Sequence, residues 1–477
     1  MAFTNTCCRN GGSNLNAGTR NGNSTVPGVD ADFTYASGNW VQATRVFTVG
    51  SGDPVADGIA VGDYVSVYAD GSTVTGYVAQ VTARTTTTIT LSSTVKAGTA
   101  PTDGTGTRTM KVGGAWKGMN GADGVPFTLA LICDLNSSGT TLRINMMNDA
   151  AFIVTASTNC TGSASNVNGI VIKGFTATYG DGGKFILDGG IAGATYNLFN
   201  GNGIASIVED AIFRNNGATG VGSFLGTGSS WYRVVGHSCR FSGLGSSVGQ
   251  TATQCEVYSF NQSASGTGYG IFATSAVNCF VHSPSGGNNA GFAPASSSGV
   301  AVYESCVAKG CMNGFLFAGS GATPSWSMRH CDVHESTSHG IASSSTSGKT
   351  IHIINCNILK SGGWGINLNT GSAGNKHNGL IFNCGFGTGT EANTSGNVET
   401  NNSCNVSGSI SYGSGLTPWQ APATGDYRIA LADAKSTGWG LFTQTGLSMD
   451  GLVRFPDIGA GQHLPSGSGG VIVIEDD

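Results

Sequence analysis

The densest group of residues able to do chemistry runs Arg329-His330-Cys331-Asp332-Val333-His334-Glu335, followed closely by His339-Gly340. In an extended strand alternate residues face the same side, so His330, Asp332 and His334 would share one face. Imidazole and carboxylate groups in one place can transfer protons in sugar cleavage or bind a metal ion. The competing interpretation is structural, because outward positions of a repetitive β-fold are commonly polar and His330 holds a place that Asn and Ser take elsewhere.

Cleavage of a polysaccharide requires more than this group provides. An inverting hydrolase uses carboxyl groups about 6.5 to 9.5 Å apart, and a lyase for acidic sugars uses an Arg or Lys base beside carboxylates that hold a cation. The acidic residues between 168 and 408 are mostly isolated in sequence. The sequence therefore assigns no catalytic residue, no metal site and no cofactor, and the candidates are His330, Asp332, His334 and His339. Neighbouring repeats add Glu256, His282, Glu304 and Lys309.

The elements that must position these residues are repeats. A four-residue phrase returns about every 25 residues, which is typical of stacked repeats. Its first position is polar, its second is usually a cysteine, its third is variable and its fourth is apolar. From Cys255 to Cys384 the steps are 24, 27, 25, 25 and 28 residues. The step from Cys239 to Cys255 is only 16 residues, so one of these two placements conflicts with the period. The predicted structural column comprises Cys239, Cys255, Cys279, Cys306, Cys331, Cys356, Cys384 and Cys404.

Short strands joined by turns explain these repeats better than helices, since the apolar runs are short and no 3.6-residue period is sustained. Equivalent strands of adjacent rungs stack about 4.8 Å apart, so a recurring small apolar residue forms an interior column. We interpret the polar residue before each cysteine as a bend, where Asn and Gly tolerate left-handed backbone conformations. A Gly followed by an apolar residue, as in Gly340-Ile341, predicts the start of the next strand.

Composition excludes several classes of protein. There are 77 Gly among 477 residues without a Gly-X-Y period, and an apolar content of 39% is too high for a disordered chain. With a net charge of −5 and 22 Lys and Arg spread thinly, no basic cluster is available to bind nucleic acid. No apolar stretch reaches the roughly 18 to 20 residues that cross a bilayer. The N-terminal residues lack the pattern of a secretory signal, so we expect assembly in a cytoplasm.

The 13 cysteines show neither CxxC nor Cys/His zinc spacing. Because buried Cys behaves as a small hydrophobic residue, packed free thiols are the favoured interpretation of the column. Disulfides between adjacent rungs are the alternative.

The chain divides into four predicted segments. Residues 1–40 form an N-terminal strand and loop, 41–113 an inserted β-rich module, 114–408 a parallel β-helix of about nine to ten rungs, and 409–477 a closing segment with a tail strand. Asp70-Gly71 between two alternating stretches predicts a hairpin in the module. Residues 126–132 are expected to form either a capping helix or the first full strand, and residues 470–474 to form a strand that pairs with another subunit.

Several phrases resemble proteins of the pectin-lyase-like superfamily. The Gly/Asn-rich residues 8–19 resemble the opening of many members, and Ile170-Val171-Ile172-Lys173-Gly174-Phe175 is typical of their rungs. Residues 426–431, 436–440 and 454–460 resemble, in order, the closing segment of bacterial and phage-encoded members. The resemblance covers nearly the whole chain and implies an all-β, right-handed parallel β-helix with an inserted small β-domain near the N-terminus. It implies no single function, because this superfamily includes lyases, hydrolases, phage spikes and adhesive proteins.

Two classes of function stay open. The first is a bacteriophage virion structural protein, namely a spike, fibre or capsid decoration, with a role in binding surface glycans and no enzymatic activity. The alternative is a polysaccharide-cleaving lyase or glycoside hydrolase, either a tailspike depolymerase or a secreted enzyme. The first class predicts localisation in the virion, contacts with other virion proteins and with host-surface polysaccharide, and assembly as a homotrimer. It predicts neither a nucleic-acid partner nor membrane insertion.

Overall fold

The computed structural model confirms the predicted fold class. It is all-β, with a parallel β-solenoid and a small closed barrel near the N-terminus. The chain divides into two compact units, Met1–Thr251 with Cys255–Phe272, and Ala252–Gln254 with Ala273–Asp477. Within the part of the chain that is described, no helix is long and apolar enough to cross a membrane. The structure describes residues 3–13, 15–20, 26–72, 76–97, 100–117, 141–154, 170–190, 206–216, 230–239, 244–245, 251–258, 260, 268–283, 289–294, 301–317, 325–343, 350–368, 377–387, 392–399, 403–407, 410–411, 419–421 and 426–429.

The strands up to residue 272 include the barrel and the earlier rungs. In chain order they are β1 (Phe3–Cys8), β2 (Phe33–Val41), β3 (Val46–Thr48), β4 (Tyr64–Ala69), β5 (Tyr77–Arg84), β6 (Thr88–Ala97), β7 (Gly104–Val112), β8 (Thr141–Met147), β9 (Phe152–Ile153), β10 (Ile170–Phe175), β11 (Phe185–Asp188), β12 (Ser206–Asn216), β13 (Ser230–Cys239), β14 (Leu244–Gly245), β15 (Thr251–Thr253), β16 (Glu256–Tyr258) and β17 (Gly268–Phe272).

The later strands build the rungs that carry the candidate residues. They are β18 (Ser275–Val277), β19 (Phe280–His282), β20 (Asn289–Ala293), β21 (Ala301–Glu304), β22 (Val307–Lys309), β23 (Asn313–Phe317), β24 (Ser325–Arg329), β25 (Asp332–His334), β26 (His339–Ser343), β27 (Thr350–Ile354), β28 (Asn357–Leu359), β29 (Trp364–Asn367), β30 (Asn378–Phe382), β31 (Gly385–Phe386), β32 (Gly396–Glu399), β33 (Ser403–Ser407), β34 (Ile410–Ser411), β35 (Trp419–Ala421) and β36 (Asp426–Ile429).

The barrel closes in the order β2-β3-β6-β5-β4-β7 with antiparallel neighbours. Alternation along these strands turns apolar side chains inward, and Trp40, Phe47 and Met110 lie in the buried core. The predicted hairpin is present, because β4 and β5 pair on either side of a turn in which Gly71 has a φ of 78°. The barrel begins at Phe33, earlier in the chain than the expected module boundary at residue 41.

The Gly/Asn-rich segment after β1 holds Trp116 against that strand. The backbone N–H of Trp116 donates to the carbonyl oxygen of Cys7 at 3.0 Å, and its indole N–H donates to the carbonyl oxygen of Asn16 at 2.7 Å. Gly18 has a φ of 76°, and a Cβ there would lie 2.6 Å from the indole, so both conformation and space require glycine. β1 therefore forms a parallel bridge from Cys8 to Trp116 in addition to its pairing with β8. The expected cap at residues 126–132 lies outside the described residues.

In the first unit, β8, β10, β12, β13 and β16 follow one another as parallel neighbours. Val235 is opposite Glu256, so Val234 holds the position equivalent to Cys255. Cys239 is instead opposite Asn216, beyond that position. The placement of Cys239 in the column is therefore corrected. The physical reason is that Arg233, with a φ of 55°, supplies the bend in this rung five positions before the one that the cysteine phrase suggested.

Each rung of the second unit contributes strands to three parallel ladders. The first ladder is β18-β21-β24-β27-β30-β33, the second β19-β22-β25-β28-β31-β34 and the third β20-β23-β26-β29-β32. Cys404 lies on β33 of the first ladder, opposite Gly379, whereas Cys384 directly precedes β31 of the second ladder. Cys404 is thus also removed from the column, because the phrase around it matches the repeat in residue type but not in register.

A left-handed residue separates the first ladder from the second in the five rungs from β18 to β31 and confirms the predicted bend. The amide of Asn383 donates to the side-chain oxygen of Asn355 at 3.0 Å, so side chains bond along the stack at this corner. The φ angles lie between 50° and 57° at Asn278, Ser305, His330, Asn355 and Asn383.

The cysteines that follow these bends are buried free thiols. Cys356 shows the recurring geometry: its Sγ lies 3.3 Å from the carbonyl oxygen of Ile354 and 3.9 Å from that of Met328 in the preceding rung. A thiol is small enough for the interior and supplies a weak donor to these oxygens. The same pattern of contacts to carbonyl oxygens occurs at Cys279, Cys306, Cys331 and Cys384.

A column of glycines brings the third ladder close to the second. Gly314 is typical: a Cβ there would lie 2.6 Å from Cγ1 of Val333 and 2.6 Å from the carbonyl oxygen of Gly340. These glycines are required for close approach and not for an unusual φ. The Gly-apolar pairs of the repeat therefore lie within the third-ladder strands, where the residue after each glycine, such as Phe315, enters the core.

Two other predicted elements fall wholly or partly outside the described residues. Of the closing segment, β35 and β36 form an antiparallel pair, while residues 436–440 and 454–460 lie outside. The tail strand at residues 470–474 also lies outside.

Candidate functional site

The three candidates near β25 are all buried. Asp332 and His334 alternate with the interior residue Val333 along this strand, whereas His330 is the left-handed bend residue that precedes it. The exposed fractions of His330, Asp332 and His334 are only 3%, 0% and 3%. A polymeric substrate therefore cannot reach the carboxylate of Asp332 in this arrangement.

Asp332 and His330 are both used in joining rungs. Nδ2 of Asn357 donates to Oδ1 of Asp332 at 2.8 Å, and the two residues are register partners on β25 and β28. The backbone N–H of His330 donates to the carbonyl oxygen of Ile354 at 3.1 Å, and its φ of 50° marks it as a bend residue. These contacts favour the structural interpretation of both residues.

A basic group lies where the second-ladder strands end. His282, Lys309 and His334 are register partners on β19, β22 and β25. Glu335 follows His334, and its Oε1 lies 2.9 Å from Nζ of Lys360 while its Oε2 lies 3.9 Å from Nζ of Lys309 and 4.0 Å from Nδ1 of His334. We call these five residues the basic corner.

The backbone of the tight turn creates this arrangement. Gly310, Glu335 and Lys360 directly follow register partners and have φ angles of 68°, 60° and 55°, so each rung turns at the same point. Backbone bonds join successive turns: the N–H of Gly310 donates to the carbonyl oxygen of His334 at 3.0 Å. Side chains at these positions therefore stack along the corner. Lys360 was missed in the sequence, although it follows Glu335 by 25 residues, which is one repeat.

Electrostatics within the basic corner keep Glu335 ionised. Burial by itself raises the pKa of this carboxyl group, but the hydrogen bond from Lys360 and the charges of His334, Lys360 and Lys309 outweigh it and set the pKa below its ordinary 4.5. The pKa of His282 is lowered from 6.5, first by burial and then by the charge of Lys309, with partial opposition from Glu335. At neutral pH the corner thus combines an anionic Glu335 and a neutral His282 with the lysines.

This chemistry does not provide the carboxyl pair of a glycoside hydrolase. A carboxyl group with a lowered pKa is a poor general acid at neutral pH, and the other carboxylate of the group, Asp332, is covered. The corner is instead suited to holding an anion. The side chain of Lys360 is 46% exposed, so its ammonium group can contact a ligand from solvent.

His339 lies apart from the other candidates, on β26 of the third ladder. Its Nδ1 accepts the backbone N–H of Trp364 at 3.0 Å, and its Nε2 lies 3.1 Å from the side-chain amide nitrogen of Asn367. Burial lowers its pKa from 6.5, which agrees with an unprotonated Nδ1 acting as an acceptor. His339 therefore joins β26 to β29, and the structure does not bring it together with His330, Asp332 and His334 in one ladder.

The remaining neighbours from the sequence do not join the basic corner. Glu304 ends β21 of the first ladder, opposite Arg329. Glu256 belongs to the first unit, where its Oε2 accepts the hydroxyl of Tyr258 at 2.7 Å. Among the described residues no group of three or more His, Cys, Asp or Glu is placed to hold a metal ion.

The column thiols are unsuited to nucleophilic chemistry. Burial raises the pKa of Cys306 and of Cys356 well above 9.0, and neighbouring column cysteines raise it further. Outside the column, burial raises the pKa of Cys311 to about 12. Since the thiolate is the reactive form, these side chains remain packing groups at neutral pH.

Comparisons with known proteins do not identify the function of this site. No family model and no curated protein matches the sequence. Among solved structures, the chain is similar to the catalytic domain of a GH87 alpha-1,3-glucanase in complex with tetrasaccharides, at 12% sequence identity. The alignment covers 83% of this chain and 98% of that chain, with a TM-score of 0.26. A likeness of this size carries no inference about the site.

Proposed function

We propose that this chain is a structural protein of a bacteriophage virion, a spike, fibre or capsid decoration, whose solenoid binds polysaccharide without cleaving it. The observation that carries the proposal is the state of Asp332. This residue is fully buried, and its carboxylate accepts a hydrogen bond from Asn357 of the next rung. The acid that the sequence offered for catalysis thus contributes to stacking, as expected of a scaffold.

The basic corner is the proposed glycan-binding surface. Lys360 extends into solvent, whereas His334, one rung away, and Lys309, two rungs away, are largely buried. The exposed ammonium group of Lys360 suits carboxylate or sulfate groups on an acidic polysaccharide.

The experiment that tests the proposal measures binding and cleavage together. Purified protein is incubated with acidic and neutral polysaccharides, and retention on immobilised polysaccharide is followed beside reducing ends and unsaturated products. We expect retention of acidic chains and no new ends. Robust cleavage that disappears in Asp332→Ala, with the melting temperature preserved, would contradict the proposal, as would absence of binding to every polysaccharide tested.

A polysaccharide lyase is the second candidate, and the surroundings of Lys309 favour it. Its side chain is only 11% exposed and lies beside Glu335 and the register partner His282, and a lysine is one of the residues that serve as the base in lyases for acidic sugars. The variant Lys309→Met distinguishes a lyase from a binding protein. If the chain is a lyase, unsaturated products disappear in this variant, whereas a binding protein forms none with either version.

We further propose that the chain assembles as a homotrimer in the virion and contacts other virion proteins through its N-terminal part or the barrel. Only 10% of the residues are charged, so repulsion between copies is weak. Light scattering on the full chain and on a version ending at Pro465 tests both the assembly and the role of the tail. A monomer in both cases with unchanged melting would contradict the proposal.

A further inference from the structure

A serine and a histidine outside the basic corner meet in the geometry of an activated nucleophile. Oγ of Ser343 lies 2.8 Å from Nε2 of His377, although the residues are 34 positions apart in sequence. A nucleophile and a base within about 2.6 to 3.2 Å of each other are the signature of nucleophilic catalysis by serine. Neither residue belongs to the cysteine phrase or to the candidate group of β25.

Ser343 contacts a backbone carbonyl group as well as the imidazole. Its Oγ lies 3.4 Å from the carbonyl oxygen of Phe317 and 2.8 Å from Nε2 of His377. Base catalysis by His377 uses the tautomer in which the hydroxyl donates to the imidazole. This arrangement requires an unprotonated Nε2 and a proton on Nδ1, which is the tautomer that accepts a proton from an attacking hydroxyl group.

The fold holds the two groups at strands of different rungs, with the rung of β27, β28 and β29 between them. Ser343 is the last residue of β26, and His377 directly precedes β30. His377 is fully buried, so packing fixes the orientation of its ring, while Ser343 is partly exposed and can meet a ligand. Attack on a bound ester requires a hydroxyl group that the ester can reach and a base that is held rigidly next to it.

From this geometry we propose that Ser343 and His377 form a catalytic dyad that hydrolyses carboxylic esters, with O-acyl groups on polysaccharides as the substrate class. Oγ of Ser343 bonds to the acyl carbon while its proton passes to Nε2 of His377. The imidazolium returns that proton to the leaving alcohol oxygen as the ester bond breaks. Water then attacks the acyl-serine with His377 as base, releasing the carboxylic acid and restoring the hydroxyl of Ser343. Glycosidic bonds are untouched, so this activity is independent of the proposed binding function.

The first test uses a reagent that reacts with activated serines. The full chain is treated with a fluorophosphonate, and the modified residue is identified by mass spectrometry of peptides. We expect phosphonylation at Ser343, its loss in Ser343→Ala and about a hundredfold slower labelling in His377→Gln. Ser327→Ala and His352→Gln, on β24 and β27, serve as matched controls and should label at the rate of the unmodified protein. Absence of label at Ser343 in the folded protein overturns the proposal.

The second test measures turnover with p-nitrophenyl acetate and an O-acetylated polysaccharide. We expect release of acetate that falls about a hundredfold in Ser343→Ala and in His377→Gln. We also expect the rate of the unmodified protein to fall at low pH, where the imidazole is protonated, and this fall to disappear in His377→Gln. Because His377 is buried, circular dichroism and thermal melting show whether that variant folds. Ser343→Ala removes a single oxygen and keeps the test valid if the histidine variant does not fold. The proposal is contradicted if the unmodified protein and Ser343→Ala release acetate from the substrates at equal rates.

Discussion

Gly340 packs directly against Ile358, so that a Cβ atom added to the glycine would overlap Cγ2 of the isoleucine. The same Cβ would lie 2.6 Å from the carbonyl oxygen of Gly365 in the next rung. The contact joins the second and third ladders across the interior and recurs at Gly314 with Val333. Glycine at this position of the repeat is therefore a packing requirement.

We expect Gly340→Ala to destabilise the protein by about 2 kcal/mol, the usual cost of overpacking a rigid interior. Gly28→Ala is the matched control, because its nearest neighbour would be 3.7 Å away. Denaturant unfolding of both variants measures the difference in free energy. Equal midpoints for the two variants would show that the glycine column tolerates a methyl group.

The column cysteines are predicted to be reduced and unreactive in the folded protein. Burial raises the pKa of Cys306 and Cys356 well above 9.0, so little thiolate forms at pH 8. A thiol reagent should modify few column residues in buffer and nearly all after denaturation without reductant. Recovery of fewer than half of the thiols after denaturation would indicate disulfides instead.

Two ion pairs of the first unit should differ strongly in their contribution to stability. Arg233 contacts Asp210 through two bonds of 2.6 and 2.7 Å, and the aspartate side chain is only 1% exposed. Arg233→Met should lower the free energy of unfolding by about 2 to 3 kcal/mol, because it leaves a buried carboxylate without this partner. The loss should be somewhat smaller than in a fully buried pair, since the side chain of Arg233 is 35% exposed. Lys173→Met, which breaks the more exposed pair with Glu209, should cost less than about 1 kcal/mol. Chemical denaturation measures the free energy of unfolding of both variants. Similar losses of stability in the two variants would contradict the predicted difference between the buried and the exposed ion pair.

Stability should fall as the pH drops below about 6.5. Burial lowers the pKa of His339 and of His282, so the folded state keeps both rings neutral while the unfolded chain binds protons below the ordinary value of 6.5. Unfolding free energy continues to fall with decreasing pH until the pH is below the pKa values of both histidines in the folded state. Glu335 adds a further loss below its ordinary 4.5, because its pKa is also lowered in the fold.

The variant His339→Gln isolates the contribution of one ring to this pH dependence. It removes the proton uptake at this position but retains a side-chain oxygen able to accept the N–H of Trp364. We expect a shallower fall in unfolding free energy between pH 7.5 and 5.5 than in the unmodified protein. Identical slopes for the two proteins would rule out His339 as a contributor.

Charge changes in the basic corner should alter polysaccharide binding in opposite directions. Lys360→Gln removes an exposed cation and should weaken binding of acidic chains by up to about fivefold, the effect of one surface charge. Glu335→Gln removes the competing anion and should strengthen it. Both effects should diminish with added salt. Lys173→Gln on β10 is the control, and an equal effect there would show that only net charge matters.

The sequence by itself determined the repeat and much of its meaning. A period near 25 residues with a small apolar residue at one point predicts stacked rungs, because only stacking buries such a column. The polar residue before Cys356 was correctly interpreted as a bend, since Asn and a few other residues tolerate a φ near 54°. The alternation in the barrel and its Asp-Gly turn likewise predicted antiparallel strands.

Only the tertiary structure decided the register of the strands, the burial of the side chains and which residues contact one another. The phrase around Cys239 and Cys404 matches the repeat locally, but hydrogen bonding between rungs places both elsewhere. Alternation placed Asp332 on an outward face without revealing that this face is covered, because burial depends on distant chain segments. The contact of Ser343 with His377 has no local signal either, since it arises where the end of one rung meets the start of a later one. Local patterns encode the conformation of a rung, whereas the chemistry depends on which residues the stacking brings together.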